Sequence, residues 1–203
     1  MTNYPQVGKS APNFITVAVY KKKLGKIRLS DYRGKKYVIL IFYPANFTPV
    51  SPTELIALSD RIKEFRKLST QILAISVDSP FSHLRYLLSS RDEGGLQGLN
   101  YPLVSDLTQN ITNNYKLLTE DGIALPGVFI IDKEGVIQYY NVNNLLCGRS
   151  INEILRILKS IQYIKEHPGQ ACPVEWESGD QLLYSHPLKA TFYFKEFYSS
   201  EKN

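Results

Sequence analysis

The stretch that decides the fold, residues 38–54, reads VILIFYPANFTPVSPTE. Its first six residues are apolar without interruption, which is typical of a strand covered on both faces of a sheet. A turn with two prolines follows, and Ser51-Pro52-Thr53-Glu54 has the form of a capping box with proline at the first helical position. The sequence therefore predicts a buried strand that leads through a turn into a helix.

Hydrophobic periodicity on both sides of this stretch predicts an α/β architecture. Strands are predicted at Phe14–Tyr20, Lys26–Leu29, Tyr37–Tyr43, Gln71–Val77, Val128–Asp132 and Val136–Val142. Apolar residues at helical spacing predict helices over residues 55–65, 81–91, 105–115 and 151–161, the last after a capping box of Ser150 and Glu153. The turn at 132–135 predicts a hairpin at the sheet edge. Alternating strands and helices that end in a hairpin and a helix fit an α/β sandwich.

Composition narrows the functional classes. The chain has 203 residues, and 43% of them are hydrophobic, which suits one compact domain with an additional arm. The net charge of +5 is spread along the chain among acidic residues, so we expect no nucleic-acid partner. No apolar run approaches the ~20 residues of a membrane span, and we expect no membrane association. The residues 1–5 lack the basic region and apolar core of a signal peptide, so we expect no secretion.

Cysteine and histidine usage argues against disulfide frameworks and metal sites. Cys147 and Cys172 are the two cysteines, too few for a secreted disulfide scaffold, so a reducing compartment is expected. The three histidines are far apart in sequence, and packing or surface roles are expected for them. No cofactor or metal ion is implied.

The amino-acid composition of the sequence changes after His167. Prolines, glycines and the aromatic run at 192–194 follow in residues 167–203, which favours an arm that packs on its own domain or on a partner chain. We therefore predict a domain over residues 1–166 and a carboxy-terminal arm over 167–203 that carries Cys172.

The spacing of three residues around this turn resembles that of a known family. Pro44, Thr48 and Ser51 occupy the positions of the pattern Pro-x-x-x-Thr-x-x-Cys at this strand-to-helix junction, and the chain resembles the typical two-cysteine peroxiredoxins of the AhpC/thiol-specific antioxidant family. The resemblance runs nearly end to end and is close to the cyanobacterial and plastid-encoded type. Further matching segments are 7–14, 76–84, 94–96, 101–103, 129–132, 148–150 and 167–176.

The resemblance implies a thioredoxin-like fold and a thiol peroxidase. In such enzymes a thiolate at a helix amino terminus is oxidised by peroxide to a sulfenic acid, and a resolving cysteine forms a disulfide that thioredoxin reduces. By resemblance, Cys172 matches the resolving cysteine and Arg149 the second arginine near the site. A homodimer with the arm reaching across, or a ring of dimers, is implied, as is residence in a plastid, or in the cytoplasm if the gene is not organellar.

Two departures from the family pattern affect the chemistry. Ser51 stands at the position of the peroxide-attacking cysteine, and a hydroxyl neither ionises near neutral pH nor forms a sulfenic acid. Pro126 stands where the family has an arginine that holds peroxide and thiolate, and proline has no side-chain donor. We therefore predict an impaired or inactive peroxidase, retained for binding or chaperone-like holding.

Two alternatives remain open at this point. Cys172 or Cys147 could act as a surrogate peroxidatic thiol, although we expect Cys147 to be a small hydrophobic residue in or near the core. The chain could also be an active enzyme carrying an introduced Cys→Ser change, against which Pro126 speaks. For Ser51 itself, we expect a structural role as the cap of its helix. A serine hydrolase is not supported, because no Gly-x-Ser-x-Gly motif is present.

Overall fold

The computed structural model describes residues 5–199, which form a seven-stranded mixed sheet with helices and a carboxy-terminal segment. The sheet strands are β1 (Ile15–Tyr20), β2 (Lys23–Arg28), β3 (Tyr37–Phe42), β4 (Thr70–Ser76), β5 (Leu103–Ser105), β6 (Gly127–Ile131) and β7 (Ile137–Val142). The helices are α1 (Ser51–Asp60), α2 (Ile62–Lys67), α3 (Pro80–Leu88), α4 (Asn110–Asn114), α5 (Ile151–Glu166) and α6 (Pro187–Tyr198). Of residues 1–5, which were compared above with a signal peptide, residues 1–4 lie outside the described residues and Pro5 lies within them.

The sheet places the two most apolar strands at its centre. The strand order is β2-β1-β5-β4-β3-β6-β7, with β3 parallel to β4 and β4 parallel to β5. All residues of β3 are buried, which confirms the prediction drawn from its unbroken apolar run. The hairpin of β6 and β7 places β7 at the edge, as predicted. The expected α/β sheet with flanking helices is thus confirmed.

The parallel strands determine where the candidate site lies. Because β3 and β4 run in the same direction, the segments that follow them leave the sheet at the same end. Residues 43–50 lead from β3 to α1, and residues 77–79 lead from β4 to α3. The backbone N–H of Asn46 donates to Asp78 Oδ2 at 2.8 Å, so these two connections are in direct contact.

Two helix predictions were wrong in their extent. The helix predicted over 55–65 is interrupted at Arg61, which separates α1 from α2 and pairs its side chain with Glu64. Residues 103–105 form β5, which was not predicted, because a strand of three residues is too short to show a hydrophobic period. The helix predicted over 105–115 is confined to α4, because the Asp106 carboxylate accepts the N–H groups of Ile111 and Thr112 and delays its start.

A second compact unit begins at Asn152. It holds most of α5, a small antiparallel pair of β8 (Gln170–Ala171) and β9 (Leu183–Tyr184), and α6. The arm has more regular structure than its sequence indicated, since its aromatic run lies in α6. Tyr193 and Phe197, one helical turn apart, stack with ring centroids 4.5 Å apart. The boundary predicted at residue 166 stays a prediction.

Among residues 5–199, no helix is both long and apolar enough to cross a bilayer.

Candidate functional site

Ser51 begins α1, but its side chain does not cap the helix. Val50 takes the capping position, and no side chain there accepts a hydrogen bond from the first turn. The Ser51 hydroxyl oxygen instead lies 2.5 Å from the Thr48 hydroxyl oxygen. The predicted capping role of Ser51 was therefore wrong. Its proposed capping partner Glu54 faces another residue, described below.

The proton on Ser51 can be assigned from its neighbours. The Thr48 hydroxyl donates to the carbonyl oxygen of Ala45 at 3.0 Å, and a hydroxyl has one proton to donate. The Ser51 hydroxyl is therefore the donor in the bond to Thr48. Its acceptor is a hydroxyl oxygen, which is too weak a base to activate a nucleophile. Ser51 is also buried, with 2% of its surface exposed.

Glu54 and Arg149 form a buried ion pair one turn further along α1. Oε1 and Oε2 of Glu54 accept from Nε and Nη2 of Arg149 at 2.8 and 2.6 Å. Both side chains are at most 5% exposed, and such two-point pairing is the strongest geometry for this couple. The site thus contains the arginine that the resemblance indicated, already bound to a carboxylate.

Arg149 also joins three elements of the sheet and helix layer. Nη1 donates to the carbonyl oxygens of Phe42 and Gly127 at 2.9 and 2.7 Å. These carbonyls lie at the end of β3 and the start of β6. The hydrogen bonds described for Arg149 go to these groups and to Glu54, and none goes to Ser51.

Two prolines border the site. Pro44 is buried two residues beyond the end of β3, and Pro126 is buried directly before β6. The carbonyl oxygen of Pro126 accepts the N–H of Asn143 at 2.9 Å, but its ring supplies no donor. Position 126 therefore adds no positive charge beside the site, and Arg149, bonded to the next residue, is the cation that remains near it.

A buried polar network lies behind the turn, and the sequence did not reveal it. Asp78 accepts hydrogen bonds from Ser76, Ser82 and the backbone of Asn46, at 2.7 to 3.1 Å. The Asn46 side chain donates to the Ser82 hydroxyl at 2.8 Å. This network holds the turn that carries Thr48 against the start of α3. In the sequence, the indication of this network was a cluster of polar residues within otherwise apolar segments that resemble the family.

His83 completes the network and is fully buried. Its Nε2 lies 3.2 Å from the carbonyl oxygen of Val104 and so carries the proton. Nδ1 lies 3.3 Å from Asn46 Oδ1 and 3.4 Å from the hydroxyl of Tyr43. Burial lowers the pKa of His83, opposed by the nearby charge of Asp78. Burial also raises the pKa of Tyr43 well above its usual value, so both groups stay neutral near pH 7.

Cys172 lies in the second unit, which also contains a small aromatic cluster. Its sulfur is 4.0 Å from the carbonyl oxygen of Ser160. Burial raises the pKa of the Cys172 thiol, against the lowering effects of the Ser160 side chain and of Arg156. Nearby, Trp176 is fully buried against Tyr163, with ring centroids 5.0 Å apart. The thiol is therefore less ionised than an ordinary cysteine.

Cys147 lies on the surface, contrary to expectation. We expected a small hydrophobic residue in or near the core, but the thiol is exposed. The loop after β7 carries it outward, with Asn143 Nδ2 donating to its carbonyl oxygen at 3.2 Å. The next two residues, Gly148 and Arg149, lead directly into the buried ion pair. Within residues 5–199, no group of three or more His, Cys, Asp or Glu side chains could hold a metal ion.

Comparison with known proteins places this geometry in a family. The model of the AhpC/TSA family matches residues 7–140. The ycf42 peroxiredoxin of Trieres chinensis is 74% identical over the full length of both chains. The chloroplastic 2-Cys peroxiredoxin BAS1 of Arabidopsis thaliana is 51% identical over 94% of this chain and 72% of its own.

Solved structures show the same relationship. The reduced 2-Cys peroxiredoxin of Plasmodium vivax superimposes with a TM-score of 0.91 at 37% identity, over 93% of this chain and 98% of that one. A Plasmodium yoelii Prx1a, modified at its amino terminus and described as an artifactual octamer, gives a TM-score of 0.76 at 38% identity, over 85% and 100% of the two chains. The fold is thus the thioredoxin-like fold of these proteins, and the chain belongs to the AhpC/TSA family of peroxiredoxins.

Proposed function

We propose that this chain is a peroxiredoxin-family protein whose position 51 no longer reduces peroxide and whose scaffold serves binding or chaperone-like holding. One observation carries the proposal. The Ser51 hydroxyl keeps its proton in a hydrogen bond to Thr48, at the place where the family pattern requires a thiolate. An oxygen at this position cannot pass through sulfenic acid and disulfide.

The charges around position 51 support the same conclusion. Pro126 contributes no cation, and Arg149 is bound to Glu54 and to two backbone carbonyls. An anionic transition state at position 51 would therefore lack the positive group that the family places at residue 126. Loss of both the thiol and this cation argues for relaxed selection rather than an introduced Cys→Ser change.

A second candidate function rests on the exposed thiol of Cys147. As a surrogate peroxidatic residue it would be oxidised by peroxide to a sulfenic acid, and Cys172 or an external thiol would then resolve it. Cys172 itself is a weaker candidate, because burial raises its pKa. If either thiol turns over, a thioredoxin-like protein is the expected reductant.

Assembly and location follow from the relatives as proposals. A homodimer, or a ring of dimers, is proposed because β7 is an edge strand of the sheet and α6 exposes Leu188, Phe192 and Phe197. Residence in a plastid is proposed because relatives at 51% and 52% identity are named chloroplastic.

Peroxide consumption by the reduced chain with thioredoxin tests the proposal. We expect no turnover above the buffer rate. Turnover in the unchanged chain would overturn it, and loss of that turnover in Cys147→Ser or Cys172→Ser would identify the surrogate. A holding function is then measured as suppression of aggregation of a heat-denatured client protein. Failure to suppress aggregation would reject that part of the proposal.

A further inference from the structure

The end of the sheet opposite Ser51 contains a cavity of about 510 Å³. It lies at the amino ends of β4 and β5, whereas Ser51 follows the carboxyl end of β3. Its volume falls within the range of roughly 300–1,000 Å³ that is usual for small-molecule sites. The peroxiredoxin chemistry at position 51 does not use any of its lining residues.

The charged side chains that line this cavity are all positive. Lys21, Lys36 and Arg66 line it, and among the described lining residues none is Asp or Glu. A shallower groove of about 440 Å³ adjoins it, shares Lys21, and adds Lys23 and Lys26 without a carboxylate. Five cations thus converge on one continuous concave surface, which will attract an anion.

Two structural features position these cations. Nη2 of Arg66 donates to the carbonyl oxygen of Asn100 at 2.9 Å, which orients the guanidinium at the cavity. Lys21 and Lys22 form the two-residue turn between β1 and β2, with φ angles of 49° and 64°. Such turns favour Asn and Gly, so the two lysines occupy these positions against the backbone preference. The Lys21 ammonium lies 5.5 Å from the centre of the Tyr20 ring.

The other lining residues are aromatic and apolar side chains together with the polar Thr70, Gln71 and Asn100. Tyr20 and Tyr32 line both the cavity and the groove, and Ile62, Ile72 and Pro102 supply apolar surface to the cavity. Burial, with a smaller effect of the charge on Asp31, raises the pKa of Tyr32. Its hydroxyl therefore remains a hydrogen-bond donor at neutral pH. Positively charged and aromatic side chains thus lie side by side in this cavity.

We propose that this cavity binds a phosphate ester that carries an aromatic ring, of the mononucleotide class. Arg66 and Lys36 bind the phosphate oxygens, and Tyr20 and Tyr32 contact the base. Guanidinium and ammonium groups pair with phosphate, and aromatic side chains stack on nucleobases. The site is distinct from position 51, so its occupancy does not depend on whether the proposed loss of peroxidase activity is correct.

Calorimetric titration of the full chain at low ionic strength tests the proposal, with ADP, pyrophosphate and adenosine as probes. We expect one saturable ADP site per chain, with tighter binding than either pyrophosphate or adenosine. Arg66→Gln and Lys36→Gln should each weaken ADP binding about tenfold or more. Tyr20→Leu combined with Tyr32→Leu should reduce ADP binding to the level of pyrophosphate.

The matched control is Lys67→Gln, which removes the neighbouring exposed cation on α2 that does not line the cavity. ADP affinity should be unchanged in this variant. An equal loss in Lys67→Gln would show diffuse surface attraction and overturn the proposal. Pyrophosphate binding as tight as ADP would overturn the assignment of an aromatic ester, and the absence of saturable ADP binding would overturn the site itself.

Discussion

Glu54 and Arg149 are joined by two hydrogen bonds of 2.6 and 2.8 Å between side chains that are nearly inaccessible to solvent. The residues are far apart in sequence, and the pair links α1 to the loop that precedes α5. Arg149 extends the connection to the backbone of β3 and β6. In this chain the pair is thus a structural connection one turn along α1 from Ser51.

Removing one partner of this pair should destabilise the fold strongly. Glu54→Gln leaves the Arg149 charge buried without a counter-charge, and we expect a loss of about 3–5 kcal/mol in the free energy of unfolding. Urea denaturation measures it. The control is Arg156→Gln in the more exposed pair with Glu153, which should cost about 1 kcal/mol or less. Similar losses in the two variants would contradict the structural role.

Restoring the family residues should restore peroxide reduction. Ser51→Cys places a thiol at the first residue of α1, where the helix dipole favours the thiolate. We expect slow peroxide consumption in Ser51→Cys and a faster rate, by about tenfold or more, when Pro126→Arg adds a donor for the developing charge.

A third substitution separates oxidation from resolution in that series. Adding Cys172→Ser to Ser51→Cys/Pro126→Arg should still permit one oxidation per chain, detected as a sulfenic acid by mass spectrometry, but no thioredoxin-dependent turnover. Undiminished turnover would show that Cys172 does not resolve the oxidised thiol.

The buried His83 should make stability depend on pH. Burial lowers the pKa of His83 in the folded state from its ordinary value of 6.5, so the unfolded chain binds the proton more readily. The stabilisation is complete above pH ~6.5 and is lost as the pH falls from there toward the folded-state pKa, with a slope of up to ~1.4 kcal/mol per pH unit.

Urea denaturation between pH 7.5 and pH 5 measures this dependence. His83→Asn should reduce the slope, whereas His186→Asn at an exposed position should leave it unchanged. A slope that persists in His83→Asn would assign the pH dependence to other groups.

The two thiols should differ in reactivity. Cys147 is exposed, whereas Cys172 is partly buried with a raised pKa, and alkylation requires the thiolate. We expect iodoacetamide at neutral pH to modify Cys147 several-fold faster, as followed by peptide mass spectrometry. Equal rates before and after unfolding in urea would show that the folded chain does not protect Cys172.

The sequence by itself determined where most of the strands lie along the chain and that position 51 carries a hydroxyl. The unbroken apolar run at 38–43 could only be a strand covered on both faces, because each of its residues must leave water. That Ser51 offers a hydroxyl and not a thiol is likewise a matter of covalent chemistry, which no packing changes.

Only the tertiary structure decided what the side chains around that position do. Ser51 and Glu54 have the spacing of a capping box, yet Glu54 pairs with Arg149, because a buried cation distant in sequence competes more strongly for a carboxylate than a backbone N–H does. Cys147 was expected in or near the core, but its loop carries it into solvent. The basic cavity at Lys36 and Arg66 joins residues from four separate segments, and local sequence patterns cannot indicate such long-range contacts.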